Sequence, residues 1–162
     1  MESEYYKLSQ VIKHKKSING VIEKLNQLAK EIPDEVFEVN FKIYEATNQI
    51  GKYILLKIDN LLSRGSAKLD WEDLTLEHIL PEGSDWEGRD TFWQRLGNMT
   101  LLTGKSNKSA GNRDFKTKKK EYGKESRIKL TQELADYDEF TKEDIQERQK
   151  RLAKLALEIW KV

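Results

Sequence analysis

A middle segment that lacks helical periodicity separates two helical ends of the chain, and this break constrains the fold more than any other feature. Before it, apolar residues recur three or four positions apart in two runs, Ile18 to Ile32 and Ile43 to Leu61. Pro33 ends the first run, and the sequence SRGS ends the second. After it, a run that opens at Thr141 has acids in its first turn and an apolar face behind them. These patterns predict core-facing amphipathic helices, with one more helix over about Arg127 to Tyr137.

Two short runs in the middle segment have the length and the bounding residues of β-strands. They are LTLEHIL, from Leu74 to Leu80, and NMTLLT, from Asn98 to Thr103. Pro81 ends the first run, because proline cannot continue a central ladder. A basic segment follows from Lys105 to Lys120, with seven lysines or arginines and a single acid, Asp114. We therefore expect a mainly α-helical chain with a two-stranded element inserted between helices.

The composition fits one soluble domain and excludes some classes of protein. The chain has 162 residues, of which 35% are charged and 37% hydrophobic, so it can bury one core. No apolar run is long enough to span a membrane. The absence of cysteine excludes disulfides, thiol chemistry and cysteine zinc sites, and it favours the cytoplasm. The net charge of +1 gives no indication of nucleic acid, so a basic surface must come from local clustering.

Four side chains around the two predicted strands could together carry out phosphodiester chemistry. Glu77 and His78 are neighbours on the first strand, Asn98 opens the second, and Asn107 follows shortly after it. Neighbours on a strand point to opposite faces, but at a strand end both can reach one site. Histidine is a suitable base for taking a proton from water near neutral pH. Carboxylate and amide oxygens are the ligands that magnesium prefers, and such a cation stabilises charge on a phosphate.

The ordered series LEHILP, LGNMTLL and SNKSAGNRDFKTKKKEY resembles the HNH endonucleases, also called His-Me fingers. More narrowly, it resembles the C-terminal nuclease domain of GmrSD-type modification-dependent restriction enzymes, and Phe115, Lys118 and Tyr122 stand at matching places. The resemblance spans roughly Tyr53 to Trp160. It implies a mainly α fold with a small ββα-metal finger inserted between helices. The expected organisation is one helical HNH nuclease domain over 1–162, with helices in 1–66, the finger in 69–123 and helices in 124–162.

The same resemblance implies a role for each matching residue. His78 is expected to be the general base, and Asn98 is expected to orient it and brace the hairpin. Glu77 and Asn107 are expected to bind magnesium or manganese. Gly111 stands where some finger nucleases add a ligand, and its missing side chain favours magnesium over zinc. The basic residues expected to contact DNA are Lys105, Lys108, Arg113, Lys116, Lys118 and Lys119.

The function implied is metal-dependent cleavage of DNA, as the nuclease part of a modification-dependent restriction or anti-phage defence system. Its expected partners are DNA and an upstream nucleotide-hydrolysing sensor domain or subunit, with no membrane. Two other interpretations stay open. A catalytically silent DNA-binding or assembly domain would keep the fold and the basic helix without a metal, and an RNA-directed nuclease toxin would prefer RNA. Taken alone, a histidine in an apolar run is usually structural, and a lysine run is often only a solvated helix face.

Overall fold

The computed structural model describes residues 6–7, 9–10, 18–66, 69–104, 113–125 and 127–160. The chain is mainly helical at both ends, as predicted. The N-terminal helices are α1 (Ile18–Lys30), α2 (Asp34–Ile43) and α3 (Asn48–Leu62).

The second predicted helical run is wrong at its start, because it joins two helices. Tyr44 to Thr47 separate α2 from α3, and Ile43 is 62% exposed. In this linker, Glu45 forms a β-bridge with Arg95, and the Ala46 amide donates to the Gln94 carbonyl at 3.1 Å. These tertiary backbone pairs replace the bonds that a continuous helix would make.

A two-stranded antiparallel hairpin occupies the middle of the chain, where both strands were predicted. Strand β1 (Leu74–His78) pairs with β2 (Met99–Thr103), so that Glu77 lies opposite Thr100 and His78 opposite Met99. Both strands are shorter than predicted. Between them lie the short helix α4 (Arg89–Phe92) and a single 3-10 turn, Leu96–Asn98. Asn98 ends this turn instead of opening β2, because its amide donates to the Arg95 carbonyl at 2.8 Å.

The C-terminal part is also helical. Asp114 caps the basic helix α5, since its side chain accepts a hydrogen bond from the Thr117 amide at 2.8 Å. The long last helix begins as predicted, with the Thr141 amide and hydroxyl donating to Asp144 Oδ2 at 2.8 and 2.9 Å. The helix predicted near Arg127 to Tyr137 is shorter and continues as a 3-10 turn. The elements are α5 (Phe115–Tyr122), α6 (Lys129–Gln132), the 3-10 turn Glu133–Asp136 and α7 (Lys142–Trp160).

Two apolar clusters fix the hairpin between helices. The larger joins α3 and α7 to the hairpin and includes Leu55, Ile58, Leu101 and Leu152. The smaller packs α5 against the end of the hairpin and includes Ile79, Leu80, Leu102, Phe115, Tyr122 and Leu134. Residues of α5 and α7 thus pack around the end of β1. None of the helices in the described ranges is long and apolar enough to cross a membrane.

Gly97 permits the closest approach between the hairpin and α7. A Cβ atom at this position would collide with the backbone carbonyl oxygen of Ile145 on α7. Only glycine allows two backbones to come this near. The LGN turn before β2 is therefore a docking point for the last helix.

Candidate functional site

A pocket of about 410 Å³ opens at the end of β1. Two residues predicted for the site, Glu77 and His78, lie in its wall together with Lys118 of α5. Strand β1 ends at His78 and the chain bends at Ile79, so neighbouring side chains of the strand both reach the pocket. Its other lining residues are Pro81, Glu82 and Gly83.

Glu77 is a buried carboxylate, 9% exposed, whose nearest opposite charge is a lysine. Lys118 Nζ lies 2.6 Å from Glu77 Oε1. Oε1 is buried, and this ion pair is the contact that the described residues give it. Burial raises the pKa of Glu77 above its ordinary value, and the Lys118 ammonium partly offsets that rise.

Lys118 lies inside the protein, where only 1% of it is exposed. Its ammonium donates to the His78 carbonyl oxygen at 2.6 Å in addition to pairing with Glu77. The sequence predicts Lys118 among the DNA-contacting residues, whereas the structure packs it beneath the hairpin at the inner wall of the pocket. This position differs from that of an exposed side chain that follows a DNA backbone.

His78 has an environment that favours its neutral form. Its ring packs against Trp93, with the ring centres 5.3 Å apart and the planes at 37°. Burial lowers the pKa of His78 below its ordinary value, and Lys118 lowers it further, against a smaller opposing effect of Glu82. The Nε2 atom is buried and has no hydrogen-bond partner in the part of the chain that the structure describes. No sequence pattern indicated that Trp93 belongs to the site, because it lies in neither predicted strand and contacts His78 only in the folded chain.

Asn98 is fully buried, and its amide group bonds only to the main chain. Oδ1 accepts from the Leu80 amide at 2.8 Å, and Nδ2 donates to the carbonyls of Leu80 and Trp93, both at 3.0 Å. These bonds tie the turn before β2 to the segment after β1. No hydrogen bond joins its amide to the His78 ring among the described residues. Its link to His78 runs through Leu80 and through Trp93, which packs on the ring.

Two side chains of α7 hold the turn that carries Asn98, and the sequence reasoning missed both. Arg148 Nη1 donates to the carbonyls of Leu96, Gly97 and Met99 at 3.2, 3.0 and 2.6 Å. Gln149 accepts from the Gly97 amide at 2.5 Å. Burial lowers the pKa of Arg148 to about 10, so it stays charged at neutral pH. Helical spacing could have identified both residues, because they lie three and four positions after the buried Ile145.

The remaining predicted residues belong to the basic segment. Asn107, Lys105 and Lys108 lie outside the described residues. Arg113 is exposed just before α5. Lys116 and Lys119 lie on α5, where their ammonium groups are 3.7 Å from Glu139 Oε1 and 3.6 Å from Asp138 Oδ1. Ion pairs this long between exposed side chains are weak.

Two carboxylate side chains line the pocket, those of Glu77 and Glu82. Nowhere in the described ranges do three or more His, Cys, Asp or Glu side chains form a group that could hold a metal ion. Glu77 nevertheless offers a carboxylate in a pocket wall, with Oε1 already paired with Lys118. That fits a hard cation such as magnesium, which keeps several waters and binds through one or two carboxylate or amide ligands.

Comparison with known families identifies the family of the chain. A model of the family described as "GmrSD restriction endonucleases, C-terminal domain" matches residues 34–155. The matched region includes the hairpin, the pocket residues Glu77, His78 and Lys118, and the Arg148 side chain of α7. A search of curated proteins finds no match. With three quarters of its length inside that family model, the chain belongs to the family of C-terminal domains of GmrSD restriction endonucleases.

Proposed function

We propose that this chain is a metal-dependent DNA endonuclease domain of the HNH type, in a modification-dependent restriction or anti-phage defence system. The observation that carries the proposal is the pocket in which Glu77 and His78 meet at the end of β1. The order of two strands and a helix over β1, β2 and α5 supports a ββα-metal finger within 69–123 of a single domain. Membership of a restriction endonuclease family supports DNA as the substrate.

In the proposed reaction, His78 is the general base. Its lowered pKa keeps the imidazole neutral at neutral pH, so the ring can accept a proton. Since Nε2 is buried, Nδ1 is proposed as the ring nitrogen that takes the proton from water. The water loses its proton to His78 and attacks phosphorus, and the bond to the leaving 3′ oxygen breaks. Asn98 and Trp93 hold the ring and the chain after it in place during this step.

Magnesium or manganese is the proposed cofactor. Glu77 would hold it, together with Asn107, which is proposed from its place in the sequence. When bound, such an ion supplies positive charge to the phosphate and to the leaving oxygen. The carboxylate of Glu77 is fixed before any ion arrives, since Lys118 holds it at 2.6 Å.

The basic segment is proposed to hold the DNA backbone. Arg113, Lys116 and Lys119 supply exposed or partly exposed charge around α5, and Lys105 and Lys108 belong to the same segment of the sequence. Their weak pairs with Asp138 and Glu139 leave them available to phosphates. Such contacts give affinity that falls with salt and does not depend on base sequence. A cytoplasmic location and an upstream nucleotide-hydrolysing sensor complete the proposal, and they rest on the family alone.

One observation favours a second candidate, a DNA-binding or assembly domain without catalysis. The Lys118 ammonium already supplies a positive charge to Glu77, which is where a metal ion would be needed. If that pair never opens to a cation, the fold and the basic helix would persist without chemistry.

Plasmid nicking separates the candidates. The full chain is incubated with supercoiled plasmid and magnesium or manganese, with EDTA as the control and a structured RNA as the competing substrate. The proposal expects nicked or linear DNA only with the metal, and slower loss of the RNA. Metal-independent binding to the plasmid with no strand breaks would support the silent domain. Faster cleavage of the RNA would support the toxin interpretation.

A further inference from the structure

Lys118 is the least exposed charged side chain of the pocket, and such burial calls for a specific partner. Lysine is almost never fully buried unless it is paired, because its ammonium loses strong hydration. Here the ammonium has two contacts of 2.6 Å, with Glu77 Oε1 and with the His78 carbonyl oxygen. A single cation thus touches both neighbouring residues of the proposed active site.

Helix α5 explains why this lysine, among those around it, points inward. Phe115 and Tyr122 are buried in the cluster that packs α5 against the hairpin. Lys118 lies three positions after Phe115 and four before Tyr122, so it shares their face of the helix. Lys116 lies on the other face, with its side chain 76% exposed. The anchoring aromatics therefore fix where the Lys118 ammonium sits.

We propose that Lys118 is a positioning residue, an internal cation that orients the Glu77 carboxylate for metal binding and holds the His78 main chain. The inference rests on the proposed function and deepens it. Lys118 engages Oε1, the buried oxygen of Glu77, while the small exposed part of Glu77 opens to the pocket. We infer that Oε2, the oxygen not paired with Lys118, is the one that meets a cation.

This role differs from that of a phosphate contact or a core residue. A lysine beneath the hairpin does not lie along the surface where a DNA backbone would run. A purely structural lysine would affect stability and leave the metal affinity of a folded variant unchanged. Groups that hold metal-ligating carboxylates in place, by contrast, change metal affinity, and their loss typically costs about 10- to 100-fold.

The test is manganese binding by the full chain without DNA, measured by electron paramagnetic resonance. Lys118→Met is compared with Lys116→Met, a matched change on the exposed face of the same helix, and urea unfolding checks that each variant is folded. We expect the manganese dissociation constant of Lys118→Met to rise by about tenfold or more. Lys116→Met should bind manganese as the unaltered chain does.

Unchanged manganese affinity in folded Lys118→Met would overturn the inference. Tighter binding would also overturn it, by showing that Lys118 competes with the cation for Glu77. If Lys118→Met does not fold, Lys118→Gln carries the same expectation, because it keeps a donor for the His78 carbonyl without the charge. Plasmid nicking by the unaltered chain is scored separately. Its absence alongside the expected manganese result counts against the proposed function alone.

Discussion

Asn98 and Glu77 are both buried polar residues at the same end of the hairpin, yet their surroundings differ. The Asn98 amide bonds to three main-chain groups, and α7 holds its turn through Arg148 and Gln149. Among the described residues, His78 Nε2 is buried without a hydrogen-bond partner, and Glu77 Oε1 has only its ion pair with Lys118. An unpaired buried group costs free energy, and Arg148 Nε is a further one, so the difference is that the Asn98 amide has partners on both its atoms whereas the His78 ring does not. We call Asn98, Arg148 and Gln149 the frame, and Glu77, His78 and Lys118 the reactive end.

The comparison implies that changes in the frame reduce stability, whereas changes at the reactive end reduce function. The largest effect on stability is expected for Arg148→Met. This change removes the donor shared by the carbonyls of Leu96, Gly97 and Met99. Because each buried unpaired group costs about 1 to 3 kcal/mol, the free energy of unfolding should fall by at least about 3 kcal/mol. Urea denaturation measures it.

Arg151→Met is the matched control for Arg148→Met. Arg151 lies three positions after Arg148 on α7. Its side chain is half-exposed and pairs with Glu133. The loss of this surface pair should change the free energy of unfolding by less than about 1 kcal/mol. Equal losses in the two variants would mean that Arg148 has no special part in the frame.

The next largest effect is expected for Asn98→Ala. The change leaves the amide of Leu80 and the carbonyls of Leu80 and Trp93 without their partner. We expect a loss of about 3 kcal/mol in the free energy of unfolding, together with slower nicking, since Trp93 contacts the His78 ring. Asn40→Ala, which removes an exposed bond to the Val36 carbonyl, serves as the control in the same urea series. A folded Asn98→Ala variant of normal stability would remove Asn98 from the frame.

Asp59 on α3 tests whether a buried carboxylate oxygen without a hydrogen-bond partner also lowers stability at a position outside the reactive end. Its Oδ1 accepts from the Leu130 amide at 2.9 Å, whereas Oδ2 is buried and has no aligned hydrogen-bond partner within the described ranges. Burial raises the pKa of Asp59 above its ordinary value of 3.8. The folded state therefore binds the proton more tightly than the unfolded state, and stability is lost as the pH rises through the folded-state pKa.

Asp59→Asn should accordingly stabilise the protein at neutral pH, by an amount on the order of 1 kcal/mol, because a neutral unpaired group costs less than a charged one. The gain should shrink as the pH falls towards 3.8 and below. Urea denaturation at several pH values measures the difference between the two proteins. A gain that grows towards low pH would contradict the sign of the shift.

The smallest effect is expected for Tyr122→Phe. The Tyr122 hydroxyl is buried without a hydrogen-bond partner, and burial raises its pKa well above the ordinary value of 10.0. Because the change removes no hydrogen bond, the free energy of unfolding should stay within about 1 kcal/mol of its original value. Urea unfolding measures this free energy. A larger loss would show that the Tyr122 hydroxyl has a hydrogen-bond partner near Glu77. The reactive end would then have fewer unpaired polar groups than we infer.

Local patterns in the sequence predicted the strands and the helix ends. Pro81 and the Thr141 cap act within a few residues, so they could be read without the fold. The break between α2 and α3 could not, because Ile43 and Ile50 keep helical spacing while the linker pairs with Arg95 and Gln94 far along the chain. These are tertiary contacts that override local periodicity.

The site was predictable in its residue types, but not in how its charges are arranged. The adjacent Glu77 and His78, with the strands around them, indicated where the pocket would be. The lysine run predicted a basic segment that contacts DNA, and only the spacing of Phe115, Lys118 and Tyr122 could have shown that one lysine turns inward. The packing of Trp93 on His78 depends on the folded loop after β1 and left no pattern to read.

We propose that His78 performs the chemistry, whereas the frame stabilises the fold. The most direct test of this proposal is the plasmid nicking rate of His78→Ala with saturating metal, beside urea unfolding of the same variant. His14→Ala, which removes the only other histidine, is the control. We predict that His78→Ala nicks about 10²- to 10⁴-fold more slowly than the unaltered chain, with a free energy of unfolding within about 1 kcal/mol. Nicking at a near-normal rate by folded His78→Ala would contradict the account.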